Sequence, residues 1–103
     1  MVVSSELLIS FLEDKSAEQI SRLKEFAPSG IAVHPQTKNL YILSHKGRLL
    51  VVMDQQAEIE KIYFLDYNIH RQPEGICFDD QNRLYIGNES NEGAPVIYRY
   101  VMN

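Results

Sequence analysis

The chain has 103 residues, 45% of them hydrophobic and 23% charged, with a net charge of −4. That length and apolar fraction suit one domain with a modest core and exclude a disordered chain. The acidic balance and the lack of any Lys/Arg run argue against a general nucleic-acid binder, and the single cysteine, Cys77, has no partner for an internal disulfide.

Met1-Val2-Val3 runs straight into Ser4, Ser5 and Glu6, which does not read as a signal peptide, and no apolar run is long enough for a membrane-spanning helix. Glu6 to Leu12 is a short β-friendly run read as a strand. Ser16 with Gln19 three residues on forms a capping box, and Ala17, Ile20, Leu23 and Phe26 share one helical face. A helix of about three turns is predicted here, with Pro28 stopping it.

Four strands are then predicted in tight series. Gly30 to His34 comes first; a turn with Pro35 and Asn39 leads to Leu40 to Ser44. His45-Lys46-Gly47 turns into Arg48 to Met53, whose unbroken apolar run implies burial on both faces. Glu58 to Leu65 is more polar and reads as the outer edge. Asp66 to Gln72 is a polar connector, after which Gly75–Phe78, Arg83–Gly87 and Val96–Val101 are three further strands, the last two joined by a polar loop from Asn88 to Pro95. Cys77, within an apolar strand pattern, is expected to be a buried small hydrophobe.

Pro28-Ser29-Gly30-Ile31 and Leu40-Tyr41-Ile42 return as Pro73-Glu74-Gly75-Ile76 and Leu84-Tyr85-Ile86, with Gly30 and Gly75 45 positions apart. Short strands repeating at about 40–50 residues point to β-propeller blades. The fold predicted is mainly β: two four-stranded blades plus one short helix, residues 28–72 forming one repeat and 73–103 the other. The strand at Glu6 to Leu12, within an N-terminal segment 1–27, would complete the second blade. Two blades alone would leave apolar faces in water, so the chain is expected either to be part of a longer propeller or to self-associate, for instance as a three-copy, six-bladed ring.

The same residues, above all Gln72-Pro73-Glu74-Gly75-Ile76 with Leu84-Tyr85-Ile86-Gly87-Asn88-Glu89, resemble the C-terminal part of the SdiA-regulated family over about residues 28–100. The resemblance implies a bacterial six-bladed-type propeller, similar in style to NHL and SMP-30-like propellers, often exported to the cell envelope and without a settled enzymatic activity.

Glu74 is the foremost candidate for chemistry, because it precedes Gly75 at the start of an innermost strand, beside a propeller's channel. Gly75 would permit close backbone approach or unusual dihedrals there. Asn88 and Glu89 end the neighbouring strand, and two carboxylates with an amide oxygen suit Ca²⁺ or Mg²⁺. The resemblance to SMP-30-like propellers implies a metal-binding glutamate at such a Glu-Gly step. The competing reading is a solvated carboxylate bonded to backbone amides. His45 stands where Glu89 stands in the second repeat and is a further candidate ligand-binding residue, although loop histidines such as His34, His45 and His70 are more often solvent-exposed. Ser29 lacks the glycine spacing of a nucleophile elbow, and Asp79-Asp80-Gln81-Asn82 reads as a hairpin turn. Tyr41, Tyr85, Tyr98 and Tyr100 are expected to pack between the blades. The expected function is non-enzymatic binding at an acidic rim, of a divalent cation or small polar ligand. The alternatives are a metal-dependent lactonase or esterase using Glu74, or a structural docking module.

Overall fold

A computed structural model describes residues 3–12, 16–89 and 94–100. It contains two short helices and two antiparallel sheets. Helix α1 spans Ser5–Phe11 and α2 spans Ala17–Lys24. The first sheet runs in chain order through β1 (Pro28–Val33), β2 (Leu40–Ser44), β3 (Leu49–Met53) and β4 (Ile59–Phe64). The second holds β5 (Pro73–Phe78), β6 (Leu84–Asn88) and β7 (Val96–Tyr100). The predicted strand end at Val101 and the middle of the Asn88–Pro95 loop lie outside the described residues.

The strands predicted from Pro28 onward form, but the N-terminal one does not. Glu6 to Leu12 folds largely as helix α1, so no strand from this segment completes the second sheet. Two local forces explain the outcome. Ser4 caps the helix, its Oγ accepting from the Leu7 N–H at 3.2 Å, and Glu6 lies in the first turn, where the helix dipole favours a carboxylate. Burial of Leu8 then fixes the helix against α2 and β4. Helix α2 begins at the predicted capping box: Ser16 Oγ accepts from the Gln19 N–H at 3.0 Å, and Gln19 Oε1 accepts from the Ser16 N–H at 3.5 Å.

The helices lie on one face of the first sheet and the second sheet on the other. Leu49, Val51 and Met53 join Ile42, Leu8 and Leu23 in one buried cluster. Leu50 and Val52, pointing the opposite way, join Tyr41 and Leu43 against Leu84 and Ile86 of β6. This alternation is why β3 is buried along its whole length, as its unbroken apolar run predicts. The polar strand β4 is an edge, again as predicted.

The edge strands β1 and β5 belong to different sheets yet converge. Gly30 permits this: a Cβ there would come within 3.1 Å of Ile76 Cγ2 and 3.4 Å of the Glu74 carbonyl oxygen. Ser29 Oγ lies within reach of the Leu43 and Pro73 carbonyls, at 3.2 and 3.3 Å, and accepts from the His45 N–H at 3.1 Å. The close approach thus falls at Gly30 rather than at Gly75, whose Cβ position meets nothing nearer than 4.0 Å.

Cys77 is exposed, not buried. On β5, Ile76 and Phe78 turn toward the shared core, which leaves Cys77 on the outward face of an edge strand. Tyr41 and Tyr100 pack between the sheets as expected, whereas Tyr85 donates its hydroxyl to Asp79 at 2.8 Å.

Candidate functional site

The β2–β3 turn, the β4–β5 connector and the start of the loop after β6 all lie at one end of the two sheets, because antiparallel pairing brings Ser44, Leu49, Phe64, Pro73 and Asn88 to that end. All four candidate residues are positioned there. The ladder between β1 and β2 skips a residue at Ser29, and that between β5 and β6 skips one at Glu74, so both repeats carry the same irregularity. Glu74 consequently stands out of the ladder and meets His45 of the first repeat, Oε1 to Nδ1, at 3.6 Å. Both side chains are partly open to water, at 43% and 32% exposure.

Asn88 and Glu89 go elsewhere. Asn88 is only 7% exposed, and its Nδ2 lies 3.0 Å from His70 Nδ1. Glu89 continues the sheet edge through its N–H, which donates to the Gln72 carbonyl at 3.0 Å. Among the described residues, no group of three or more His, Cys, Asp or Glu side chains is gathered where it could hold a metal ion.

His70 and His34 are buried, contrary to the expectation of solvated loop histidines, because each ring serves the local structure. His34 Nδ1 accepts from the Gln36 and Thr37 N–H groups at 3.2 and 3.1 Å, closing the β1–β2 turn, while its ring packs edge-on against Phe78. Asp79 does the same work in the second repeat, its Oδ1 accepting from the Gln81 and Arg83 N–H groups at 2.9 and 3.0 Å. The predicted hairpin turn is thereby accounted for. Partial desolvation favours a neutral Asp79 carboxyl, but bonds from the Arg83 backbone and guanidinium, the Tyr85 hydroxyl and the Gln81 amide outweigh it. They hold the carboxyl well below the usual range.

His70 is 1% exposed and is held at both ring nitrogens, by Asn88 on one side and the Tyr100 hydroxyl on the other. With the Asn88 amide donating to Nδ1, the proton sits on Nε2 and points at Tyr100. Burial lowers the His70 pKa, and the Asp66 charge opposes that shift without cancelling it. Burial likewise raises the Tyr100 hydroxyl, with help from Tyr98. The ring is therefore a neutral strut.

Beside this strut opens a cleft of about 650 Å³. Its polar wall comprises Arg48, Asn68, Arg71, Gln72, Asn88 and Glu89. Ile69, Val96 and Tyr98 supply apolar surface. Arg48 is the residue that sequence reasoning missed. It follows Gly47 in a turn where both residues adopt positive φ, at 78° and 48°. Its guanidinium lies over the Tyr67 ring at 4.6 Å, and its Nη2 donates to the Arg71 carbonyl at 2.6 Å. The available signal was Lys46-Gly47-Arg48, a glycine turn carrying cations, facing the basic residue of the Asp66–Gln72 connector.

The model of the SdiA-regulated family matches residues 3–93. The chain belongs to that family. No solved structure matches it. Among the described residues, no helix of this SdiA-regulated protein is long and apolar enough to cross a membrane.

Proposed function

We propose that this SdiA-regulated chain is a non-enzymatic binding module, its two sheets acting as adjacent blades of a β-propeller and its ligand bound at the loop end. The observation that carries the reading is the cleft where the β2–β3 turn and the β4–β5 connector meet Asn88, Glu89 and Ala94. Its size lies within the range of small-molecule sites. Its chemistry favours holding over turnover, since guanidinium and carboxamide groups line it and the adjacent His70 has both ring nitrogens engaged. The convergence of β1 on β5 supports the blade arrangement.

Titration of the isotope-labelled chain with a panel of small polar ligands and with Ca²⁺, followed through backbone amide signals, tests the proposal. Saturable shifts confined to residues around 45–48, 66–74 and 88–89 are expected. Shifts scattered over the surface, or none, would overturn it. The hydrolase alternative predicts Ca²⁺ binding that Glu74→Gln weakens, together with lactone or ester turnover; metal affinity unchanged in that variant removes it. The cell envelope as location is part of the proposal, and fractionation of cells expressing the chain tests it. So is self-association into a ring: light scattering giving the mass of three chains would support the ring, and the mass of one would remove it.

A further inference from the structure

The lining of the cleft runs against the charge of the molecule. Arg48 and Arg71 outnumber Glu89 on its wall, in a chain whose net charge is −4. Arg71 has no ion-pair partner among the described residues, where the ion pairs are His45–Glu74 and Arg83–Asp79. Arg48 is held in place by stacking on Tyr67 and by the bond to the Arg71 carbonyl. Its fork is therefore pre-set, and little ordering is needed when an anion arrives.

A second observation concerns unmade hydrogen bonds. Among the described residues, the buried side-chain polar atoms without a partner are Arg48 Nε and Asn88 Oδ1, and both residues line this cleft. Buried polar groups in folded proteins are nearly always paired, so two orphaned groups on residues that line one cleft are consistent with a missing partner there. The Nε–H is a donor suited to an anionic oxygen, and Asn88 Oδ1 is an acceptor for a hydroxyl or a water. Both atoms are buried, so small side-chain shifts at the wall would have to present them.

The wall also has an apolar part in Ile69, Val96 and Tyr98. A bare inorganic anion would leave that part uncovered, and Glu89 would repel a dianion more than a monoanion. Building on the binding reading above, we infer that the cleft takes a small organic monocarboxylate with an apolar body, its carboxylate between Arg48 and Arg71 and its body against Ile69, Val96 and Tyr98.

Hexanoate, hexanamide and inorganic phosphate, titrated separately into the isotope-labelled chain, test this directly. Hexanoate should produce saturable shifts in the amides of Asn68, Ile69, Arg71, Gln72 and Asn88. Hexanamide, which keeps the body and lacks the charge, should bind at least about tenfold more weakly. Arg71→Gln changes an exposed side chain and should keep the folded spectrum while weakening hexanoate at least about fivefold. Equal affinity for hexanamide, tighter binding of phosphate, or an Arg71→Gln variant that binds hexanoate as before would overturn the inference. If Ca²⁺ or phosphate moves these amides and hexanoate does not, the carboxylate inference falls and the binding module stands. If nothing in the panel moves them, both fall.

Discussion

His70 shows how one buried side chain ties stability to pH. It is 1% exposed, accepts from Asn88 and bonds Tyr100, and so joins the connector to both β6 and β7. Burial lowers its pKa below the ordinary 6.5, so the unfolded chain takes up a proton at a pH where the folded chain has not. Its contribution to stability is complete above that ordinary value and is lost as pH falls from there through the folded pKa. The urea midpoint should therefore drop between about pH 7.5 and about pH 5.5. His70→Gln should show a smaller drop over the same range, and equal drops in the two proteins would refute this account. None of it was legible in the sequence, because His70 sits in a polar connector whose composition reads as solvated. Its burial is decided by Tyr98 and Tyr100, which arrive from a strand 30 residues further on. Asp79 was legible, since an aspartate opening a four-residue polar turn caps that turn by local chemistry alone.

At the scale of elements, local signals fixed the hairpins and helix α2, and α1 took the Ser4 cap together with the burial of Leu8. The run Leu7-Leu8-Ile9 suits strand or helix equally, and no vacant sheet edge at a workable distance is visible in a linear sequence. What docks the helical layer is Arg22. Its Nε donates to the Gly47 carbonyl at 2.8 Å, and its Nη2 to the carbonyls of Arg48 and Leu65 at 2.9 and 2.5 Å. The same guanidinium lies over Phe64 and Tyr67. Arg22→Met keeps much of the packing while leaving those carbonyls without their donor, and should cost about 2–4 kcal/mol in urea denaturation. Gly47→Ala tests the same junction from the other side. Its φ is +78°, and a Cβ would lie 2.3 Å from the Arg22 carbonyl oxygen, a backbone atom that cannot rotate away. A loss of about 2 kcal/mol or more is expected, and a neutral result for either variant would mean that α2 is not anchored through this turn.

For the whole molecule, the 45-residue repeat made two sheets legible but not the way in which they share a core. The sequence pattern also left both outer faces bare, whereas α1 and α2 cover one of them with Leu8 and Leu23. The other outer face keeps Ile97 at 71% exposure and Cys77 exposed. Between the sheets, Leu84 and Ile86 of β6 pack into Tyr41, Leu43, Leu50 and Val52 of the first sheet. Neither sheet therefore has a complete core without the other, and the two should unfold as one unit rather than in sequence. Leu84 is the sharpest probe, being 1% exposed and contributed by the smaller sheet. Leu84→Ala should destabilise by about 2–5 kcal/mol and leave the denaturant slope unchanged. Amide exchange in β2 and β3 should then accelerate by the same factor as in β6, since opening either sheet exposes the same cluster. If exchange quickens in β6 alone while β2 and β3 stay protected, the sheets are independent units, and the sheet that carries Glu74 and Asn88 can open without the one whose β2–β3 turn carries His45 and Arg48.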